Sequence, residues 1–331
     1  DMLDSAYVWY SPIEQLKLWF GQSAGGNPLR GDAIYGLWDI YRIGVETGDY
    51  KEGLTFQAQE INGAVVEVHP IEGLSFYASL GYPNSKGKGY KDDVTEKITD
   101  SSSSKMSNIF GRQSRYALAY AIGGDEPVAT IKLGVEEKGK VAHNKDGEKK
   151  DQNIINAAVD LQPMENLFIS VGAFIPTVQK YYIPGYSEEQ SIGNKVNLYA
   201  RFGAMEGLNI HARIGTVINC YDTKEFKKDN KDGKIGFLLG AGVDYALMDD
   251  LTLYADVGYA NGIFMAGSSA DHKDCLDFGI GVTKSYDACA VSAGFVGATN
   301  GYGMYDTTYT DNGDTKYPFS WGIPLRVSYS F

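Results

Sequence analysis

The sequence predicts an all-β chain, a transmembrane antiparallel up-and-down β-barrel of about 16 strands, an even number as single-chain barrels require. Three observations predict it. Near the end, Phe319, Trp321, Ile323, Leu325, Val327, Tyr329 and Phe331 alternate with Pro318, Ser320, Gly322, Pro324, Arg326, Ser328 and Ser330. A period of two puts the apolar set on one strand face and the small or polar set on the other. A short connector sequence also recurs along the chain, and long polar stretches separate the hairpins it makes.

The C-terminal strand keeps its alternation over about ten residues, the length a tilted strand needs to cross a bilayer. The connectors are 11–16 (SPIEQL), 69–74 (HPIEGL), 162–167 (QPMENL), 204–208 (AMEGL) and 247–251 (LMDDL). Each runs through an apolar residue, an acid and a turn former to Leu, which reads as a tight hairpin. Two further turns, 285–288 and 123–127, lack the apolar residue. The long connections are 22–52, 83–112, 143–152, 178–192, 222–232, 264–273 and 305–314, rich in Gly, Ser, Lys, Asp and Asn. Short turns at one end and long loops at the other fit periplasmic and extracellular rims.

The strands expected are 5–12, 16–22, 53–70, 74–82, 113–122, 128–142, 153–163, 167–177, 194–204, 208–221, 233–247, 251–263, 275–285, 288–304 and 315–331. Because 5–12 runs towards a short turn, a strand is expected before it, which would complete the even number. Alternation holds on nearly every segment. In 251–259 the outward set is Leu251, Leu253, Ala255, Val257 and Tyr259, and Thr252, Tyr254 and Asp256 face inward. The whole chain, 1–331, is expected to be one barrel domain. Segment 33–44, in the first long loop, is too apolar to be solvated, and reads as an extra hairpin strand or a segment folded into the mouth. Segment 83–112, with its run of serines, reads as a long extracellular or inward-folded loop.

Composition fits without deciding. The chain has 331 residues, 40 Gly, 24 Tyr, 13% aromatics and a mean hydropathy of −0.26. No apolar run reaches the length of a membrane helix, but a barrel hides its lipid face by alternation. A net charge of −12 excludes nucleic acid as a partner and suits loops that meet divalent cations, lipopolysaccharide or glycolipid. Cys220, Cys275 and Cys289 show no ligand spacing, and their odd number argues against a disulfide framework. Cys220 and Cys275 fall near loop ends on one side, where they either pair or stay free. No signal peptide is visible, so the chain starts after export processing or inside a longer protein.

With the connectors, the alternation and the terminal aromatic in view, the chain resembles a porin-like outer-membrane β-barrel of a diderm bacterium. Its Ile13-Glu-Gln-Leu16 and Ile71-Glu-Gly-Leu74 hairpins are similar to those of spirochaete outer-membrane proteins. Tyr329 and Phe331 resemble the C-terminal sorting signal of such barrels, which implies recognition by the barrel assembly machinery. The resemblance implies a bacterial outer-membrane location, passive diffusion of small hydrophilic solutes or ions through a water-filled lumen, no cofactor, and a homo-oligomer, often a trimer.

Inward parity makes Lys17, Glu67, His69, Arg115, Lys132, Asp160, Tyr199, Arg201, His211, Arg213, Asp244, Asp256 and Arg326 the expected pore-lining residues. Arg201, His211 and Arg213 are expected to form a basic patch, with Asp244 and Asp256 on the next hairpin at similar depth. Such charges either set a field across the pore or pair and stiffen the wall. Trp9, Trp19, Tyr77 and Tyr199 would stack sugars or simply fill space. Catalysis is not expected. There is no HExxH or GxSxG motif, His143 and His272 lie in loops, and His211 is expected to lack a carboxylate nearby on its face. No metal site is expected: Asp311–Asp314 and Asp229–Asp232 lack the full acid pattern of a calcium loop and read as solvated turns, or at most as weak sites. The alternative to a porin is a structural barrel, lattice-forming or ligand-binding, with a plugged pore.

Overall fold

The structure, a computed structural model, describes residues 6–24, 61–81, 115–124, 127–142, 148–182, 189–191, 194–220, 234–261, 274–299, 309–311, 314–316 and 319–329. The segments 33–44 and 83–112, His143, His272, 229–232 and Phe331 lie outside them. Among the described residues all twenty elements are strands. The chain divides into two compact units.

The first unit comprises 1–31, 55–161 and 172–194. It contains β1 (Ala6–Ile13), β2 (Leu16–Ala24), β3 (Ile61–Ile71), β4 (Leu74–Gly81), β5 (Arg115–Ile122), β6 (Ala129–Ala142) and most of β7 (Lys149–Met164). Each pairs antiparallel with the next. Part of β8 (Leu167–Pro176) also belongs here, with the short β9 (Lys180–Tyr182) and β10 (Glu189–Ser191). The polar stretch 178–192 is therefore a correction: β9 and β10 pair as a small hairpin inside it. The expected loop 143–152 is also shorter, because Lys149–Gln152 pair with 139–142 of β6.

The second unit comprises 32–54, 162–171 and 195–331. It holds nearly all of β11 (Asn194–Met205), then β12 (Leu208–Cys220), β13 (Lys234–Met248), β14 (Leu251–Ala260), β15 (Cys275–Tyr286) and β16 (Cys289–Ala298). From β12 to β16 each strand pairs antiparallel with its successor. The small hairpin β17 (Tyr309–Asp311) and β18 (Asp314–Lys316) lies across the end of the expected loop 305–314 and the start of the expected strand 315–331. The C-terminal strand is broken in two, β19 (Ser320–Gly322) and β20 (Leu325–Tyr329), both paired to β16. Pro324 has no N–H for the ladder, so pairing lapses there, while its carbonyl accepts from Gly294 N at 3.1 Å.

Alternation produces two chemically distinct faces in both units. In the first, Ile131, Leu133, Val135, Ile155 and Val159 are exposed while Lys132, Ile154 and Ala158 between them are buried. In the second, Leu239, Val243, Leu253, Val257 and Ile280 are exposed, and His211, Arg213, Asp256 and Asp277 are buried. The break does not disturb the last strand's parity, since Trp321, Ile323, Leu325, Val327 and Tyr329 are each at least 58% exposed. A water-soluble sheet buries the first set and wets the second; here the order is reversed.

The repeated connectors fold alike. Ile13 pairs with Leu16, Ile71 with Leu74 and Met248 with Leu251 across two-residue turns. Glu165-Asn166 and Glu206-Gly207 occupy the same positions between β7 and β8 and between β11 and β12. Pro12 and Pro70 sit where the ladder shifts register, so their missing N–H groups break no bond. The carbonyl of the second turn residue recurrently accepts an N–H from the following strand: Gln15 from His69, Gly73 from Ala121, Asn166 from Gly203, Gly207 from Ala246 and Asp250 from Ser285, at 2.7–2.8 Å.

Candidate functional site: charged relays on the polar face

In the second unit the polar face is built on register. His211 of β12 lies opposite Gly242 of β13, which lies opposite Asp256 of β14. With no side chain at Gly242, the imidazole crosses the intervening strand and places Nε2 2.7 Å from Asp256 Oδ1. A Cβ on Gly242 would stand 1.8 Å from that oxygen and 2.2 Å from Nε2. On its other side, His211 Nδ1 lies 3.6 Å from Asp244 Oδ2. His211 and Asp256 are both buried, at 4% and 6% exposure.

This corrects the expectation that His211 lacks a carboxylate on its own face, and replaces part of the basic patch with a bridge across three strands. Sequence parity put the two residues on one face, but only the pairing register shows that the residue between them is glycine. A parallel row carries Arg213, Gly240, Gly258 and Asp277 in successive register. Arg213 and Asp277 are both 3% exposed. Asp277 was not among the expected site residues.

Arg201 lies nearer the turns, with its guanidinium carbon 5.9 Å from the Phe168 ring centre. It lines a cavity of about 720 Å³ with Gln162, Asn166, Phe168, Gly203 and Asn209. Tyr199 is 2% exposed and its ring sits 6.2 Å from Phe168. Arg326 is exposed, opposite Ser292. Tyr329 is exposed on the apolar face, opposite Cys289, a half-buried free thiol. Cys220 and Cys275 end β12 and begin β15, with backbones opposite Lys234 and Ala260.

In the first unit, Trp19 Nε1 donates to Glu67 Oε2 at 3.3 Å, Glu67 Oε1 lies 2.9 Å from His69 Nε2, and Ser75 Oγ lies 3.0 Å from His69 Nδ1. The register shift between Val68 and Ile71 swings His69 towards Ser75. Lys17, opposite Glu67, packs its ammonium 4.1 Å from the Trp19 ring centre and 4.7 Å from that of Trp9. Trp19 and Tyr77 are buried with Val65 in one apolar cluster. Lys132, buried, forms an ion pair with Asp160. Arg115 begins β5, its backbone opposite Ser79 and Glu136; its side chain lies outside the described residues. Among the described residues no group of three His, Cys, Asp or Glu could hold a metal ion.

The family description OmpA-like transmembrane domain matches residues 131–294, from β6 into β16. In fold, the chain is similar to OccK1 (OpdK) of Pseudomonas aeruginosa, with 11% identity and a TM-score of 0.51 over 98% of this chain and 77% of that one. The chain has the fold of a porin-like β-barrel. OpdK solved with vanillate gives 12% identity and 0.51 over 96% and 76%. The outer membrane channel DcaP of Acinetobacter baumannii gives 11% and 0.45 over 81% and 84%. No curated protein sequence matches the chain. The likeness of its hairpins to spirochaete proteins remains an expectation from the turn sequences.

Proposed function

We propose that this barrel is a diffusion channel, passing small hydrophilic solutes or ions through a water-filled lumen without a cofactor. The observation that carries the reading is the pair of faces. The apolar residues are exposed, as lipid contact demands, and the charged ones line the opposite face in ordered rows. Lipid and lipopolysaccharide or glycolipid would cover the first face, and the barrel assembly machinery would receive the C-terminal strand. A homo-oligomer fits the same reading. Its main activity is transport rather than catalysis.

The pore-lining set named from sequence would shape the field. His211 is held between two carboxylates, so Arg201 and Arg213 carry the anion preference in this proposal. The test is single-channel recording from purified protein in a planar bilayer under a salt gradient. Ohmic steps are expected, and Arg213→Glu should move the reversal potential towards cation preference. Silence from folded protein would overturn the channel reading in favour of a plugged structural or ligand-binding barrel. An unchanged potential in the variant would overturn the role of Arg213.

A further inference from the structure

We propose that Ser75 is a base-activated nucleophile, and that the β3–β4 hairpin cleaves small activated carboxylic esters reaching it from water. Four side chains stand in one relay, in the order Trp19, Glu67, His69, Ser75. An ionised carboxylate only accepts hydrogen bonds, and Glu67 Oε1 lies 2.9 Å from His69 Nε2. That contact places the imidazole proton on Nε2. The lone pair of the neutral ring is then on Nδ1, 3.0 Å from Ser75 Oγ, so the hydroxyl is the donor. A nucleophile, a base and a group that orients the base therefore stand in line at hydrogen-bond distances.

The orienting group is itself held. Glu67 takes the Trp19 indole N–H on its second oxygen, and Trp19 is locked in the cluster with Val65 and Tyr77. Lys17 sits opposite Glu67 in the ladder and places a cation on the same face. The relay is also open: the His69 side chain is 41% exposed, whereas that of Glu67 is 14% exposed. Ser75 follows the turn by one residue, at the end of the hairpin. The His211 bridge differs on both counts, being buried and flanked by two carboxylates with no hydroxyl at either ring nitrogen.

The chemistry balances as acyl transfer to water. Ser75 Oγ bonds to the ester carbonyl carbon while His69 Nδ1 takes the hydroxyl proton. The carbon–alkoxy bond then breaks, and the same proton leaves with the alcohol. Water attacks the acyl-serine by the same exchange, releasing the carboxylic acid and restoring Ser75. No electron acceptor or metal enters. An open relay at a hairpin end suits small esters with good leaving groups.

The experiment uses the full folded chain in detergent with a fluorophosphonate probe and p-nitrophenyl acetate. The expected result is a phosphonyl adduct mapped to Ser75 and ester turnover lost in Ser75→Ala. His69→Ala should slow both by about 100-fold or more, as loss of a general base does. Glu67→Gln, which keeps the shape, should slow them less. Circular dichroism of each variant checks that the strands have formed. If His69→Ala does not fold, Glu67→Gln and Ser75→Ala decide the matter. No adduct at Ser75 in the folded protein, or labelling as fast in Glu67→Gln as in the parent, would overturn the proposal. Conductance is read separately, so a silent pore and an inert serine are distinguishable failures.

Discussion

At the scale of single residues, Gly242 decides the site in the second unit. Its backbone is the floor over which His211 reaches Asp256, and the space above it is already filled. Gly242→Ala should force the bridge apart and cost about 3–5 kcal/mol, the range for breaking a buried ion pair. Urea unfolding in detergent would measure it, and no loss would show that the bridge bears little of the fold. His211→Ala takes the imidazole from the buried Asp256 carboxylate and so breaks a buried pair, at a cost of about 3–5 kcal/mol. Combining His211→Ala with Asp256→Asn should restore part of that loss, so the two substitutions should not add. None of this was legible before the strands were paired. Parity gives the face, but contact between residues separated by 45 positions depends on register and on the side chain between them. The Glu67–His69–Ser75 relay was hidden for a related reason, since it depends on a local register shift rather than on strict alternation.

At the scale of the element, the acid-bearing turns are the recurring unit, and their glycines separate two effects. Gly73 and Gly207 both have φ of +75°, and a Cβ on them would stand 2.5 and 2.8 Å from the carbonyl oxygens of Ala121 and Ala246. Gly124 shares the positive φ, at +69°, but its nearest neighbour would be the Glu72 carboxylate at 3.5 Å. Gly73→Ala and Gly207→Ala should therefore lose about 2–3 kcal/mol, strain plus a clash with fixed backbone, and Gly124→Ala about 1 kcal/mol. Equal losses in a thermal unfolding series would show that the close approach is irrelevant. The turns were legible because their chemistry is local: an acid, a turn former and a Leu partner across the ladder. The hairpins β9–β10 and β17–β18 were not, because strands of three residues are too short to show an alternation. The break at Pro324 was visible as a proline in the polar set, yet the alternation ran through it.

At the scale of the whole molecule, the solvent of the exposed apolar face is the decisive physical quantity. Ile280, near the middle of β15, is 56% exposed. In water, replacing an exposed Ile by Arg is close to neutral, whereas at the middle of a bilayer it costs about 2–4 kcal/mol. Ile280→Arg should lose that amount when unfolded from lipid vesicles, and Tyr286→Arg at the turn end should lose about 0–1 kcal/mol. Equal, negligible losses at both positions would contradict membrane insertion. The fold class was readable because lipid and water each impose a chemical requirement on one face of every strand. The charge pairing was less so, because many pairings satisfy the same alternation.

Ile13, Ile71, Met164, Met205 and Met248 each stand 53–64% exposed, one residue before an acid that begins a turn. Within a single step along the backbone the chain passes from a side chain that favours hydrocarbon to one that demands water. Repeated from hairpin to hairpin within each unit, this makes a waterline with little vertical play. Strands such as β4, β5 and β14, of eight to ten residues, rise about 20–25 Å once tilted, which matches a thin hydrocarbon layer. In a thicker membrane the acids could not sink to follow the lipid, so the lipid would have to thin around the protein. The turns thus act as a draught mark, fixing how deep the barrel floats and which membranes it can inhabit.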